Sequence, residues 1–165
     1  MINSDIIYAV LRTIPESIMI IFAGLILLGI KKDKLYILKN GILLGIIISV
    51  IRKLPIGFGI HTVLSMITVG VILFIISKDR LLNSIIATCQ IWIALSLSEA
   101  IYIMIATKII KIPFNILINN IGIKGAVTTL PSLVIFLGLS LLFNKIQNKI
   151  KKILKEKLKE NTEIA

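Results

Sequence analysis

The sequence predicts an all-α protein: a polytopic transmembrane helical bundle of about five spans, ending in a basic amphipathic C-terminal helix. Three observations carry that expectation. Of the 165 residues, 57% are hydrophobic and only 16% charged, against about a quarter charged in soluble domains. The mean hydropathy is +1.02. The charge is clustered: long apolar runs alternate with short basic groups, as spans and loops do in a bilayer protein.

The apolar runs follow in order. The first extends from about Asp5 to Ile30 and is interrupted by Arg12, Pro15 and Glu16. The N-terminus lacks a basic region and no small-residue cleavage site follows, so this run is expected to be a retained span and not a cleaved signal peptide. The second covers about Leu35–Ile51, the third Ile60–Ile76, the fourth Leu81–Ala106 with Glu99 inside it, and the fifth Ala126–Phe143. Roughly 20 residues at a rise of about 1.5 Å cross a hydrocarbon core of about 30 Å. In lipid every backbone amide must find its partner within the segment, so the runs are read as helices.

Residues 1–143 thus form a transmembrane domain and 144–165 a cytoplasmic tail. In the tail Ile146, Ile150, Ile153, Leu154 and Leu158 recur at helical spacing between lysines. The preferred reading is an interfacial helix held by anionic lipid; the other is the start of a dimeric connector. Between spans four and five, Lys108–Gly125 is apolar yet broken by Pro113, Asn115, Asn119, Asn120 and Gly122. It is read as re-entrant or interfacial in preference to a sixth span.

Orientation comes from the lysines. Lys31, Lys32 and Lys34, then Lys78 and Arg80, then Lys145 to Lys159 must share a side, and together they hold most of the positive charge. The positive-inside rule places that side in the cytoplasm and the N-terminus outside. The net charge of +11 therefore belongs to the bilayer surface. Without aromatic interleaving or a soluble basic domain it gives no reason to expect nucleic acid.

With that topology the intramembrane polar groups gather in the outer third of the bilayer. Arg12 lies about seven residues into span one, roughly 10 Å deep, and Glu99 at a similar depth in span four. Arg12 and Glu16 are spaced i,i+4 and can pair on one face. Glu99 has no charged neighbour in its own span; Arg12, His61, Arg52 and Lys53 are its candidate partners. Thr128 and Thr129 begin span five on the same side. A charge near the bilayer centre costs at least about 2.5 kcal/mol on the insertion scale, so pairing or a wet cavity must offset it. Arg12, Glu16, Arg52, His61 and Glu99 are accordingly the candidate ligand-binding residues, in a polar pocket open to the outside.

Other features carry structural expectations. Pro15 and Pro131 each free a carbonyl within a span and are candidate kinks. Gly41 and Gly45 form a GxxxG pair for close helix packing, within the bundle in preference to between subunits. Trp92 is read as packing. The single cysteine, Cys89, excludes an internal disulfide, and no Cys/His cluster has metal-ligand spacing. No metal or other cofactor is expected. A Cys–His protease pair would need Cys89 beside His61, and the two are expected at different depths. No phosphate loop, HExxH or GxSxG is present.

The stretch Arg52-Lys53-Leu54-Pro55-Ile56-Gly57-Phe58-Gly59-Ile60-His61-Thr62-Val63-Leu64 resembles a segment in the membrane halves of Firmicute sensor histidine kinases of the AgrC-like, GHKL type. Span count, an outside start and an exiting basic helix also resemble such a sensor. Those kinases continue into a phospho-accepting histidine and an ATP-binding domain. Here the one histidine is His61, so kinase activity is not expected. The resemblance implies a stand-alone sensor-like module that binds a ligand or pairs with a full-length membrane kinase. The sequence thus favours a non-catalytic signal-sensing or interaction module. The alternative is a small membrane transport component, a substrate-binding subunit with its pocket nearer the midplane.

Overall fold

The computed structural model describes residues 9–78, 81–109, 111 and 130–163, with side-chain surroundings described for all of these but 9, 10, 58 and 154–163. Among the described residues all regular structure is helical. A π-helical segment, Ala9–Thr13, leads directly into α1, Ile14–Leu28. Then come α2, Lys34–Ile51; α3, Phe58–Ser77; α4, Leu81–Lys108; and α5, Pro131–Glu163. Among the described residues five stretches, the first including most of the π segment, are long and apolar enough to cross a membrane.

The two prolines act differently. Pro15 follows the π segment and is the second residue of α1. Lacking an N–H, it cannot donate to the carbonyl four residues back, and the helix changes from π to α around it. Pro131 is the first residue of α5. There the missing N–H is one of the donors a helix start leaves without an intrahelical acceptor anyway. The kink expected at Pro131 is thus corrected to a helix start. The re-entrant or interfacial segment expected at Lys108–Gly125, the lead-in from Ala126, and Thr128 and Thr129 fall almost wholly outside the described residues. At the other end of α1, Gly29 takes φ 71°; its N–H donates to the Ile26 carbonyl and that of Ile30 to Leu25. Such a left-handed cap suits glycine and stops the helix before the basic loop.

α1 is the hub of the bundle: it packs against each of the other four helices. Of its spanning stretch 56% is buried, against 17% to 33% for the others. The core joins Ile21 and Leu25 of α1 to Leu44 and Ile48 of α2, Val69 and Leu73 of α3, Ile91 and Ala94 of α4, and Phe136 of α5. Close approach needs small residues, because lipid tails are as apolar as the helices and association rests on van der Waals fit. The Gly41–Gly45 pair provides it. A Cβ on Gly41 would stand 2.6 Å from the Ile18 Cα, and one on Gly45 3.3 Å from that of Ile14. The pair packs α2 on α1 within the chain. Outward-facing Leu43, Ile46, Val50, Val63, Ile67, Val71, Ile93 and Leu97 are exposed. In water such a surface would aggregate; it suits a hydrocarbon environment.

α5 runs without a break from the bundle into the basic tail. Phe136 is buried and Leu139 and Phe143 pack partly against the core, after which Ile146, Ile150 and Ile153 are exposed. Its 33 residues make a rod of about 50 Å, well beyond a core of about 30 Å. The boundary read between 143 and 144 lies inside one continuous helix.

Candidate functional site

Arg12, in the π segment, and Glu16, in α1, sit on the most buried spanning stretch. Snorkelling is closed to them, and their charges must be met inside the protein. Arg12 is 5% exposed and Glu16 7%. The Arg12 Nε lies 3.5 Å from a Glu16 carboxylate oxygen, so the i,i+4 pair read from the sequence is formed. On the other side the Arg12 Nη2 donates to Glu99 Oε1 at 2.8 Å. Of the four candidate partners for Glu99, the fold selects Arg12. One guanidinium is thus held between two carboxylates from α1 and α4.

Arg52 and His61 are brought in by the turn between α2 and α3. Arg52 follows the last residue of α2, and its Nη1 donates to Thr13 Oγ1 at 3.1 Å. His61, in the first turn of α3, has its Nδ1 2.8 Å from the Ile51 carbonyl oxygen. A carbonyl only accepts, so Nδ1 is the donor in this contact. Lys53 is exposed and forms no ion pair with Glu99.

All five candidate residues line one cavity of about 450 Å³: Arg12, Glu16, Arg52, His61 and Glu99. Its level in the bundle is set by α2. That helix has 18 residues, about 27 Å, and Arg52 stands at its end and bonds to the neighbour of Arg12. The polar groups therefore meet near one end of the spanning bundle, away from the midplane.

Six further lining residues were not singled out as candidates: Ile20, Ile48, Thr62, Ser65, Trp92 and Leu95. For Trp92 and Leu95 a sequence signal existed. Trp92, Leu95 and Glu99 follow at i, i+3 and i+7, so they share one face of α4. Trp92 packs against the hydrophobic core, as expected, and also forms part of the cavity wall. Ser65 is buried, one helical turn beyond His61 on α3. Two buried donors of the lining, Arg12 Nη1 and Trp92 Nε1, have no protein acceptor.

Cys89 lines a different space, an apolar groove of about 320 Å³ between α3 and α4 with Met66, Gly70 and Phe74. Cys89 and His61 therefore face separate cavities. Among the described residues no group of three His, Cys, Asp or Glu side chains is placed to hold a metal. No protein family, no curated protein and no solved structure matches the chain.

Proposed function

We propose that this chain is a non-catalytic signal-sensing or interaction module of the cell membrane. In this reading the cavity takes a ligand from the outer face, and the basic end of α5 carries the response to a membrane partner. The observation that supports it most is the convergence of Arg12, Glu16, Arg52, His61 and Glu99, scattered over four segments, on one cavity at one end of the bundle. Ionisable groups at such positions are costly in a membrane and rarely present without a role.

The lysine distribution supports an outside N-terminus and a cytoplasmic C-terminus, which turns the cavity outward. The lysines of α5 would meet anionic lipid, at about 1 kcal/mol per residue near the surface. Exposed Ile146, Ile150 and Ile153 leave an apolar strip for a membrane kinase or another membrane protein. The likeness of Arg52–Leu64 to sensor kinases points the same way. The transport alternative calls for a midplane pocket, and this cavity sits at a helix end.

The test is a comparison in the native cell of the wild-type chain, its deletion and Glu99→Gln. Transcription and solute uptake are both followed, and membrane abundance is the control. The expected result is that Glu99→Gln reproduces the transcriptional effect of the deletion at normal abundance, with uptake unaltered. Lost uptake with intact transcription would favour the transport component instead. A Glu99→Gln strain equal to wild type in both would remove the cavity from the function.

A further inference from the structure

The charge arrangement in the cavity specifies more than that something binds. Glu16 and Glu99 share the single guanidinium of Arg12, so this trio carries one formal negative charge in excess. Of the trio only Glu99 reaches open space, with 47% of its side chain exposed against 6% for Arg12. Along the same face of α4 lie Leu95 and the indole of Trp92. A half-open carboxylate on the same face as an aromatic ring is a setting for an organic cation, through a charge-assisted hydrogen bond and ring attraction.

The opposite requirement is also present in the lining. Arg52 is exposed, and of its five N–H donors the contact to Thr13 uses one. Arg12 Nη1 and Trp92 Nε1 are buried donors without a protein acceptor. Leaving such a donor unmatched costs about 1–3 kcal/mol. An acceptor that reaches either must enter through the cavity both side chains line.

Resting on the reading of this cavity as a ligand site, we propose that it selects a small organic zwitterion. The ligand's ammonium group is held by Glu99 beside Trp92, and its carboxylate by the free donors of Arg52. The apolar lining of Ile20, Ile48 and Leu95 takes the aliphatic side chain that the two charged groups leave free. Ligands with one charge leave either the excess negative charge or the Arg52 donors unmatched.

The chain carries its own reporter, because Trp92 is its one tryptophan. The full chain in lipid nanodiscs is titrated with L-leucine, 3-methylbutylamine and 4-methylpentanoate. The last two are leucine without its carboxylate and without its amine. The emission of Trp92 is followed, with membrane insertion and monodispersity checked for each variant. The expected result is a saturable change with L-leucine at concentrations at least tenfold below either analogue, as loss of one charge-assisted contact implies about tenfold or more. Glu99→Gln should erase the advantage of L-leucine over 4-methylpentanoate. Arg52→Gln, at an exposed position, should erase its advantage over 3-methylbutylamine. If an analogue saturates as readily as L-leucine, or both variants keep the full preference, the zwitterion proposal is wrong while the cavity remains a ligand site. If none of the three probes gives a saturable change, the zwitterion proposal falls, and the transcriptional comparison of Glu99→Gln then decides the ligand-site reading separately.

Discussion

Arg12 is the residue on which the arrangement turns. It lies in the π segment that leads into the central helix, is almost completely buried, and meets carboxylates on two sides. Removing one partner of such a group costs more than the pair contributes, because a charge is left without its counterion. Arg12→Met is therefore expected to destabilise the bundle by about 1–3 kcal/mol, in the lower part of the range for buried pairs because Glu99 is half open to solvent. Glu99→Gln keeps an acceptor for the Arg12 guanidinium and should cost less. In a double-mutant cycle read by thermal unfolding in detergent, the combined variant should be milder than the sum, with a coupling of about 1 kcal/mol. Strict additivity would mean that the Arg12–Glu99 contact is not formed. At this scale the sequence was informative about pairing within a helix and silent between helices. The spacing of Arg12 and Glu16 predicts their contact, whereas four partners for Glu99 were open until the bundle placed α4 beside the start of α1. Ser65 escaped notice because a serine within an apolar run gives no sign of whether it faces lipid, core or cavity.

The limits of α2, α3 and α4 were legible to within a few residues, since hydropathy and length constrain a span strongly in a medium that cannot satisfy backbone polar groups. What a helix packs against was not. Gly41 and Gly45 announce a close approach by their spacing, but only the fold shows that it is made to α1, at Ile14 and Ile18. Gly41→Ala is expected to force α2 away from the Ile18 backbone and to lower stability by about 1–3 kcal/mol, in line with overpacking elsewhere. Gly138→Ala makes the control: a Cβ there meets nothing within 4 Å, so it should be neutral or stabilising by up to about 1 kcal/mol through helix propensity. Equal stability of the two variants would rule out the α1–α2 contact as described. Pro131 shows the limit of reading prolines in isolation. The same residue kinks a helix from inside and starts one from its first turn, and where the helix begins decides which.

For the whole molecule, the proposed orientation in the membrane rests on the lysine distribution, and labelling checks it. In a Cys89→Ala background, a cysteine in place of Lys53 should react with an impermeant maleimide on intact cells. A cysteine in place of Lys151 should react only after permeabilisation. The reverse pattern would turn the cavity toward the cytoplasm and rule out an external ligand. The α5 rod gives a second global expectation. Its lysines should make vesicle binding of a peptide spanning Asn144–Ala165 depend on anionic lipid and weaken as salt rises, because screening lengths fall from about 10 Å at 0.1 M to about 3 Å at 1 M. Binding that ignores both lipid charge and salt would leave the apolar strip, not the lysines, in charge of that contact.

The sequence by itself determined the class of the molecule: helices long and apolar enough to span a bilayer, the approximate limits of most of those described, and the ends where charge collects. These are consequences of local chemistry, the solvation of each residue and of its own backbone. Only the tertiary structure decided that α1 is central, that the glycine pair closes on it, and that Arg12 chooses Glu99 while Arg52 and His61 close the same cavity. Those outcomes depend on which helix faces touch, and contacts between distant segments leave no mark in any one segment's pattern of apolar and polar residues.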